Sequence, residues 1–145
     1  MILYLEPSSM FKLYIEETDS GTVEALFRAH DEIATSSLSY AEMRAALAAA
    51  ARGRRISPEQ YPEVLAAFES DWIDLIQVAP SAGLIARAGT LAEQHALKGY
   101  DAVHLASVLF LRDETGAAIQ CCTHDQDLFR AVEREGVAAI GPSTP

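Results

Sequence analysis

Basic residues are scarce in this chain of 145 residues, which has 11 lysines and arginines against 21 aspartates and glutamates. The formal net charge of −10 excludes a protein that coats nucleic acid with a generally basic surface. An acidic protein that acts on RNA needs a local basic patch or a basic partner instead. Half of the residues are apolar and 22% are charged, which is typical of a globular protein rather than a disordered one. The length predicts one domain over residues 1–145.

Cysteine is also rare, and the two that are present, Cys121 and Cys122, are adjacent in sequence. Neighbours on a strand point to opposite faces, so we expect two buried free thiols in a reducing compartment rather than a disulfide. No apolar run approaches the ~20 residues that span a bilayer. The opening segment reaches Glu6 too early for the apolar stretch of a signal peptide, and it lacks a basic leader. We therefore expect a cytoplasmic protein with no membrane association.

Several motifs of catalytic chemistry are missing as well. The sequence has no G-x-x-x-x-G-K-[ST] phosphate loop and no G-x-S-x-G serine elbow. Neither cysteine has a catalytic histidine suggested by its local context. These absences leave the acidic side chains as the candidates for a functional site.

Short apolar runs alternate with segments of helical periodicity along the chain. The predicted strands are Ile2–Leu5, Glu32–Ser36, Leu75–Val78, Ile119–Cys122 and Val137–Ile140. The predicted helices run from Pro7 through Tyr14, over Thr22–His30, from a cap at Ser37 or Ser39 to Ala51, from a capping box at Ser57–Gln60, from Pro80-Ser81 to a break at Lys98-Gly99, over Asp101–Leu111, and from Asp125 to Gly136. This alternation predicts an α/β fold with helices on both faces of a parallel sheet, followed by a tail over Gly141–Pro145.

Acidic side chains follow the predicted strands at their carboxyl ends, where parallel sheets place their functional sites. Glu6 ends the first strand, Glu42 lies early in the helix after the second, Asp101 opens an apolar helix, and Asp125 follows the fourth strand. Each one alone has an ordinary role as a helix cap, a partner of the helix dipole or a surface charge. Brought together they would repel one another and raise a carboxyl pKa, and a divalent cation would relieve that repulsion. Oxygen ligands favour Mg²⁺ or Mn²⁺ over zinc, and such a site suits phosphodiester hydrolysis.

Four segments resemble the motifs of PIN-domain proteins and come in the order of that family. They are Ile2–Tyr14, Ser39–Glu42, Lys98–Ala106 and Thr123–Leu128. The third segment, KGYDAVHLA, is the most similar, and it resembles the third-acid motif of the VapC-type toxins within the family. The resemblance covers nearly the whole chain, and it implies a three-layer α/β/α sandwich around a mostly parallel sheet of about five strands.

The resemblance implies Mg²⁺- or Mn²⁺-dependent endoribonuclease activity, a role as the toxin of a VapBC-type toxin–antitoxin module, a homodimer, and a cognate antitoxin encoded beside it. It carries metal binding and catalysis over to four acids, with a fifth assisting: Glu6, Glu42, Asp101 and Asp125, with Asp127. It also implies that two hydroxyl groups orient ligands or water by hydrogen bonds: those of Ser8 and Thr123.

RNA contact is predicted for the cations that lie close in sequence to these motifs: Lys12, Arg44 and Lys98. Each also has the ordinary explanation of a solvated surface charge, and the cluster Arg52, Arg54 and Arg55 is interpreted as a helix end. Three aromatic residues either pack in the core or form a groove for a partner helix: Phe11, Tyr14 and Phe27. Of the histidines near the motifs, His104 is interpreted as a core residue, and His124 is a candidate to approach the site.

Glu6-Pro7 departs from the family pattern, in which an aspartate is followed by a small hydroxyl residue. The extra methylene of glutamate moves its oxygens outward by roughly 1 Å, and misplacement on that scale can cost about a hundredfold in rate. One alternative is therefore a catalytically weakened PIN-like module that acts through protein binding. Another is a phosphoacceptor or phosphatase on a doubly wound sheet, although there the key aspartate usually follows a strand directly, whereas Asp101 opens a helix.

Overall fold

A central sheet of five parallel strands organises the protein, whose computed structural model describes residues 1–143. The strands are β1 (Ile2–Leu5), β2 (Glu32–Ser36), β3 (Ile76–Val78), β4 (Ile119–Cys122) and β5 (Ala138–Ile140). Their order in the sheet is β3-β2-β1-β4-β5, so β1 is the central strand. The final two residues of the predicted tail, 144 and 145, lie outside the described residues.

Seven α-helices and one short 3₁₀ helix connect the strands of the described chain. The α-helices are α1 (Pro7–Met10), α2 (Ser20–Ala29), α3 (Leu38–Arg52), α4 (Gln60–Trp72), α5 (Ala82–His95), α6 (Gly99–Thr115) and α7 (Gln126–Arg134). Among residues 1–143, no helix combines the length and the hydropathy that crossing a membrane requires.

The side chains of β1 alternate between two hydrophobic cores, one on each face of the sheet. Ile2 and Tyr4 point into the core that contains α5, α6 and α7, whereas Leu3 and Leu5 point into the core that contains α1 to α4. All four side chains are buried because helices cover both faces. The predicted three-layer α/β/α architecture around a parallel sheet is confirmed.

The first predicted helix was too long. Helix α1 is a single turn that ends at Met10, and the chain continues as a 3₁₀ helix over Phe11–Leu13. The N–H of Tyr14 donates to the carbonyl of Phe11 at 3.1 Å, which is the tighter i→i+3 pattern. Tyr14 therefore lies beyond the helix that its spacing predicted.

Ser37, one of the two predicted caps of α3, does occupy the N-cap position. Within the described chain, Ser37 forms no side-chain cap, and the Ser39 hydroxyl instead lies 2.6 Å from the hydroxyl of Thr35. The Ser36 hydroxyl takes the capping role by accepting a hydrogen bond from the N–H of Leu38 at 3.1 Å. Serine is a favoured capping residue at any of these positions. Here the serine whose hydroxyl caps the helix is Ser36, the last residue of β2.

The predicted start of α4 is confirmed as a capping box. The N–H of Gln60 donates to the Ser57 hydroxyl at 3.1 Å, and the N–H of Ser57 donates to the Gln60 side chain at 2.8 Å. Helix α5 ends earlier than predicted, because Ala96 adopts the left-handed conformation with φ 54°. Gly99 consequently begins α6 instead of breaking α5.

Replacing Phe68 by alanine is expected to lower the free energy of unfolding by about 3–5 kcal/mol, because this side chain is fully buried. It packs against the rings of Tyr14, Tyr40 and Trp72. Phe110→Ala is the matched control, since Phe110 is 41% exposed and should cost about 1 kcal/mol or less. Urea unfolding of both variants checks this, and equal losses would contradict the placement of Phe68 in the core that contains α1 to α4.

Candidate metal centre

An open cavity of about 700 Å³ lies at the carboxyl edge of the sheet. Four predicted acids line it: Glu6, Glu42, Asp101 and Asp125. Glu6 directly follows the central strand β1, and Asp125 follows β4, which pairs with β1 in parallel. Glu42 comes from the second turn of α3 and Asp101 from the first turn of α6. Acids that are distant in sequence therefore meet at one edge of the sheet.

The Glu6 carboxylate is buried and held by hydrogen bonds on one oxygen. Its Oε2 accepts from the N–H of Ser8 at 3.0 Å, from the Ser8 hydroxyl, and from the Thr123 hydroxyl at 2.9 Å. Pro7 follows at the first position of α1, where a missing N–H costs nothing. The longer side chain thus folds back over the start of α1 and stays inside the cavity lining, with Oε1 left for another partner.

The two predicted hydroxyl residues link the end of β1 to the end of β4. The Ser8 hydroxyl accepts a hydrogen bond from the N–H of His124 at 2.8 Å. The Thr123 hydroxyl accepts from the N–H of Asp125 at 3.2 Å while donating to Glu6. Asp125 in turn caps α7, because its Oδ1 accepts from the N–H of Leu128 at 2.9 Å. These bonds fix two of the acids relative to each other.

Asp101 carries the clearest sign of an electrostatic conflict. Its side chain is buried, and its Oδ1 atom has no hydrogen-bond partner among residues 1–143. Burial, followed by the negative charges of Asp125 and Glu6, raises the pKa of Asp101 to about 6. The nearby His104 and Lys98 counteract this rise only in part. A buried, unpartnered carboxylate oxygen among other acids fits a bound cation.

Glu42 reaches the cavity from the opposite side and contacts His104. The Nε2 atom of His104 lies 2.8 Å from Oε1 of Glu42, and its Nδ1 atom lies 2.7 Å from the hydroxyl of Tyr4. One ligand atom from each of Glu6, Glu42 and His104 falls within 4.8 Å of the others, which is close enough to share an ion. His104 is therefore buried in the core, as expected, and at the same time contacts the acidic cluster.

Two cations, which we call the cationic wall, line the same cavity as the acids. The wall consists of Lys12 and Arg55, which are joined by Glu17 at 3.2 Å and 2.9 Å. Partial burial of Glu17 opposes its ionisation, but the hydrogen bonds from Arg55 and Lys12 outweigh this effect and lower the pKa of Glu17. The guanidinium of Arg55 also lies over the ring of Phe11, 5.4 Å from its centroid.

Sequence reasoning missed Arg55 as a residue of this wall. Arg54 adopts φ 59°, and the N–H of Arg55 donates to the carbonyl of Ala50 at 2.9 Å. This reversal after the end of α3 directs the chain back toward the cavity. Gly53 marks the end of the helix in the sequence, but the residue with positive φ is Arg54, one position later.

His124 also lines the cavity, as the sequence suggested. Its Nδ1 atom lies 2.7 Å from the Ser9 hydroxyl, and its Nε2 atom lies 3.2 Å from a carboxylate oxygen of Asp19. Burial and the positive charge of Lys12 lower the pKa of His124, against the opposing effect of Asp19. Both ring nitrogens are thus occupied by protein partners.

Four predicted site residues are absent from the cavity lining described for residues 1–143: Thr123, Asp127, Arg44 and Lys98. Thr123 is buried behind the lining and contacts the site through its hydrogen bond to Glu6. Asp127 is exposed, and its carboxylate lies 3.9 Å from the guanidinium of Arg130. It lies two positions after Asp125, and residues at that spacing do not face each other on a helix. Arg44 pairs with Glu69 at 3.1 Å. Lys98 is exposed at the start of α6, although its positive charge acts to lower the pKa of Asp101.

The aromatic residues proposed as a groove pack largely against the core that contains α1 to α4. Phe11, Tyr14 and Phe27 are all partly buried there, beside the helices of that face. The Tyr14 hydroxyl donates to Asp71 at 2.8 Å, which ties it to α4. Core packing therefore accounts for Tyr14 and Phe27, whereas Phe11 also lines the cavity beneath Arg55.

Comparison with known proteins agrees with this geometry. Residues 4–135 match the PIN domain family. Ribonuclease VapC45 and Ribonuclease VapC49, from two strains of Mycobacterium tuberculosis, are each 39% identical to this chain over 112 residues, covering 77% of this chain and 78% of the relative. The chain therefore belongs to the PIN domain family and, within it, to the VapC group. The resemblance inferred from the four motifs is confirmed.

A solved structure has the same fold. The toxin–antitoxin complex from Klebsiella pneumoniae contains a chain that superposes with a TM-score of 0.66. The match covers 99% of each chain at 14% sequence identity. At that identity the likeness concerns the fold alone.

The Asp101→Asn variant should become more stable relative to the parent as the pH rises, when both are free of metal. A carboxyl whose pKa is raised to about 6 destabilises the folded state once the unfolded chain ionises near its usual 3.8. The stability difference should therefore grow by about 2 kcal/mol between pH 4 and pH 7.5. Urea unfolding in EDTA at both pH values tests this, and a difference independent of pH would contradict it.

Proposed function

We propose that this protein is a Mg²⁺- or Mn²⁺-dependent endoribonuclease and the toxin of a VapBC-type toxin–antitoxin module. The single observation that carries the proposal is the buried, unpartnered Oδ1 atom of Asp101 in a cavity lined by three further acids. The names of the relatives, Ribonuclease VapC45 and Ribonuclease VapC49, support RNA as the substrate.

The four acids of the cavity lining are the proposed metal site: Glu6, Glu42, Asp101 and Asp125. A Mg²⁺ or Mn²⁺ ion held there would activate water and would offset negative charge on a phosphoryl oxygen. Asp125 uses Oδ1 to cap α7, which leaves its Oδ2 atom either to hold a cation or to position the attacking water. Asp127 and Arg44 have no part in this proposal, because neither lines the described cavity.

Substrate binding is assigned to the cationic wall of Lys12 and Arg55. A site rich in carboxylates repels an anionic substrate, so cations must lie within reach of the phosphates. Lys12 and Arg55 meet that need because they line the cavity, and the exposed Lys98 at the start of α6 acts electrostatically on Asp101. The −10 balance of the whole chain makes this local patch necessary.

The Asp101→Ala variant should cut structured RNA at least about a hundredfold more slowly than the parent in Mn²⁺, because it removes a proposed metal ligand. Addition of EDTA should abolish cleavage by the parent. Asp113→Asn is the matched control on the same helix, since Asp113 pairs with Arg87 and Arg112 outside the cavity lining. Gel analysis of end-labelled RNA measures the rates, and undiminished cleavage by Asp101→Ala would refute the assignment.

The Glu6→Asp variant should cut RNA about tenfold to a hundredfold more slowly than the parent. The Ser8 and Thr123 hydrogen bonds are set to the length of glutamate, and the shorter side chain would draw the carboxylate back by roughly 1 Å. The same RNA assay measures the change. Faster cleavage by Glu6→Asp would instead favour the alternative of a weakened module that acts through protein binding.

The proposal includes a cognate antitoxin, a homodimer and a cytoplasmic location. The Klebsiella pneumoniae structure, a toxin–antitoxin complex, supports a protein partner. The acidic balance of this chain suits a basic partner segment, since complementary charge speeds and orients association. Cys121 and Cys122 are free and buried, which agrees with a reducing compartment.

A further inference from the structure

His104 has a role that neither core packing nor the four-acid site explains. It is fully buried, yet both of its ring nitrogens have polar partners that come from other elements. We infer that His104 is a positioning residue that orients the Glu42 carboxylate for a divalent cation, with the Tyr4 hydroxyl fixing the ring. This inference rests on the proposed metal site.

The fold places His104 between two independent anchors. Asp101 and His104 are three residues apart on α6, so both side chains lie on the same side of that helix. Tyr4 approaches from the central strand β1, and Glu42 approaches from α3 on the opposite face of the sheet. The imidazole therefore links a rigid strand to a carboxylate at the cavity, through contacts of 2.7 Å and 2.8 Å.

The hydrogen-bond chemistry defines which ring nitrogen carries the proton. A carboxylate can only accept, so Nε2 of His104 donates to Oε1 of Glu42. In the neutral ring Nδ1 is then an acceptor, and it receives the hydrogen bond of the Tyr4 hydroxyl. The chain of donors runs from Tyr4 through His104 to Glu42, and it leaves Oε2 of Glu42 for a cation.

Glu42 needs such a partner more than the other acids of the cavity do. Asp101 is buried, Glu6 is held by Ser8 and Thr123, and Asp125 is held by the cap of α7. Glu42 retains 26% of its side-chain exposure, and a long side chain at the rim of a cavity samples several rotamers. The bond from His104 selects one of them.

Direct metal binding by His104 is the competing assignment, because its ligand atom lies within 4.8 Å of those of Glu6 and Glu42. To bind an ion, Nε2 would have to give up its proton and its bond to Glu42. The hard cations that suit this acidic site prefer oxygen ligands. The geometry of the ring therefore favours orientation of the carboxylate over coordination.

Two substitutions at His104 separate these roles. In His104→Gln the side-chain amide can still donate to Glu42 from about the position of Nε2, whereas His104→Leu removes both polar contacts. The Mn²⁺ dissociation constant, measured by EPR titration without RNA, should rise about 10- to 100-fold in His104→Leu and recover by about tenfold in His104→Gln. Circular dichroism and thermal unfolding establish that each variant is folded.

Tyr4→Phe provides a test if His104→Leu fails to fold. It keeps the buried ring and removes only the donor to Nδ1, so the Mn²⁺ dissociation constant should rise about threefold or more. In the metal-free parent, ¹⁵N NMR of the imidazole should show the tautomer with the proton on Nε2. The tautomer with the proton on Nδ1 would overturn the inference.

Other outcomes are equally decisive. Unchanged Mn²⁺ affinity in folded His104→Leu, or in Tyr4→Phe, overturns the positioning role while leaving the metal site intact. Nitrogen coupling to bound Mn²⁺ that is present in the parent and absent in His104→Gln makes His104 a ligand, which also overturns it. A parent that binds no Mn²⁺, with Asp101→Ala indistinguishable from it, overturns the proposed function and this inference together.

Discussion

Parallel pairing of β1 with both β2 and β4 is the constraint on which the whole site depends. Because these three strands run in the same direction, the segments that leave them arrive at one edge of the sheet. Glu6 and Asp125 come directly from two of those segments, and Glu42 comes from the helix that follows the third. Helix α6 then adds Asp101 from the covering layer. These four acids are far apart in sequence, and the fold around the sheet brings them together.

Bringing four acids together at one cavity lowers the stability of the folded protein when no cation is bound. Burial and like charge raise the pKa of Asp101, so this group opposes folding at neutral pH when no cation is present. The rest of the protein offsets that cost through two continuous cores, in which all of β1 and most of α6 are buried. The hydroxyls of Ser8 and Thr123 reduce the conflict further by binding Glu6. A site of this kind requires a rigid frame, which the α/β/α layers supply.

Much of this could be predicted from the sequence, because it follows from local pattern. The short apolar runs marked all five strands, and the Ser57–Gln60 box marked the start of α4. The convergence of the acids followed from the rule for parallel sheets. The rest depends on tertiary structure: the pairing of His104 with Glu42 joins residues 62 apart, and the turn that brings in Arg55 uses a positive φ at an arginine. Asp127, which was predicted to assist, lies beside Arg130 and does not line the described cavity.

The position of Glu17 bears on which anions the proposed cationic wall would bind. Lys12 and Arg55 already share this carboxylate, so neither is a free cation waiting for an anion. A phosphate that enters the cavity must compete with Glu17, because Lys12 and Arg55 would exchange one anionic partner for another. A small lone anion gains little from such an exchange, because it replaces a tethered competitor at the expense of its own translational freedom. A polymer that presents adjacent phosphates loses that freedom only once. If Lys12 and Arg55 bind phosphates as proposed, their shared carboxylate would therefore favour a polynucleotide over a single small anion.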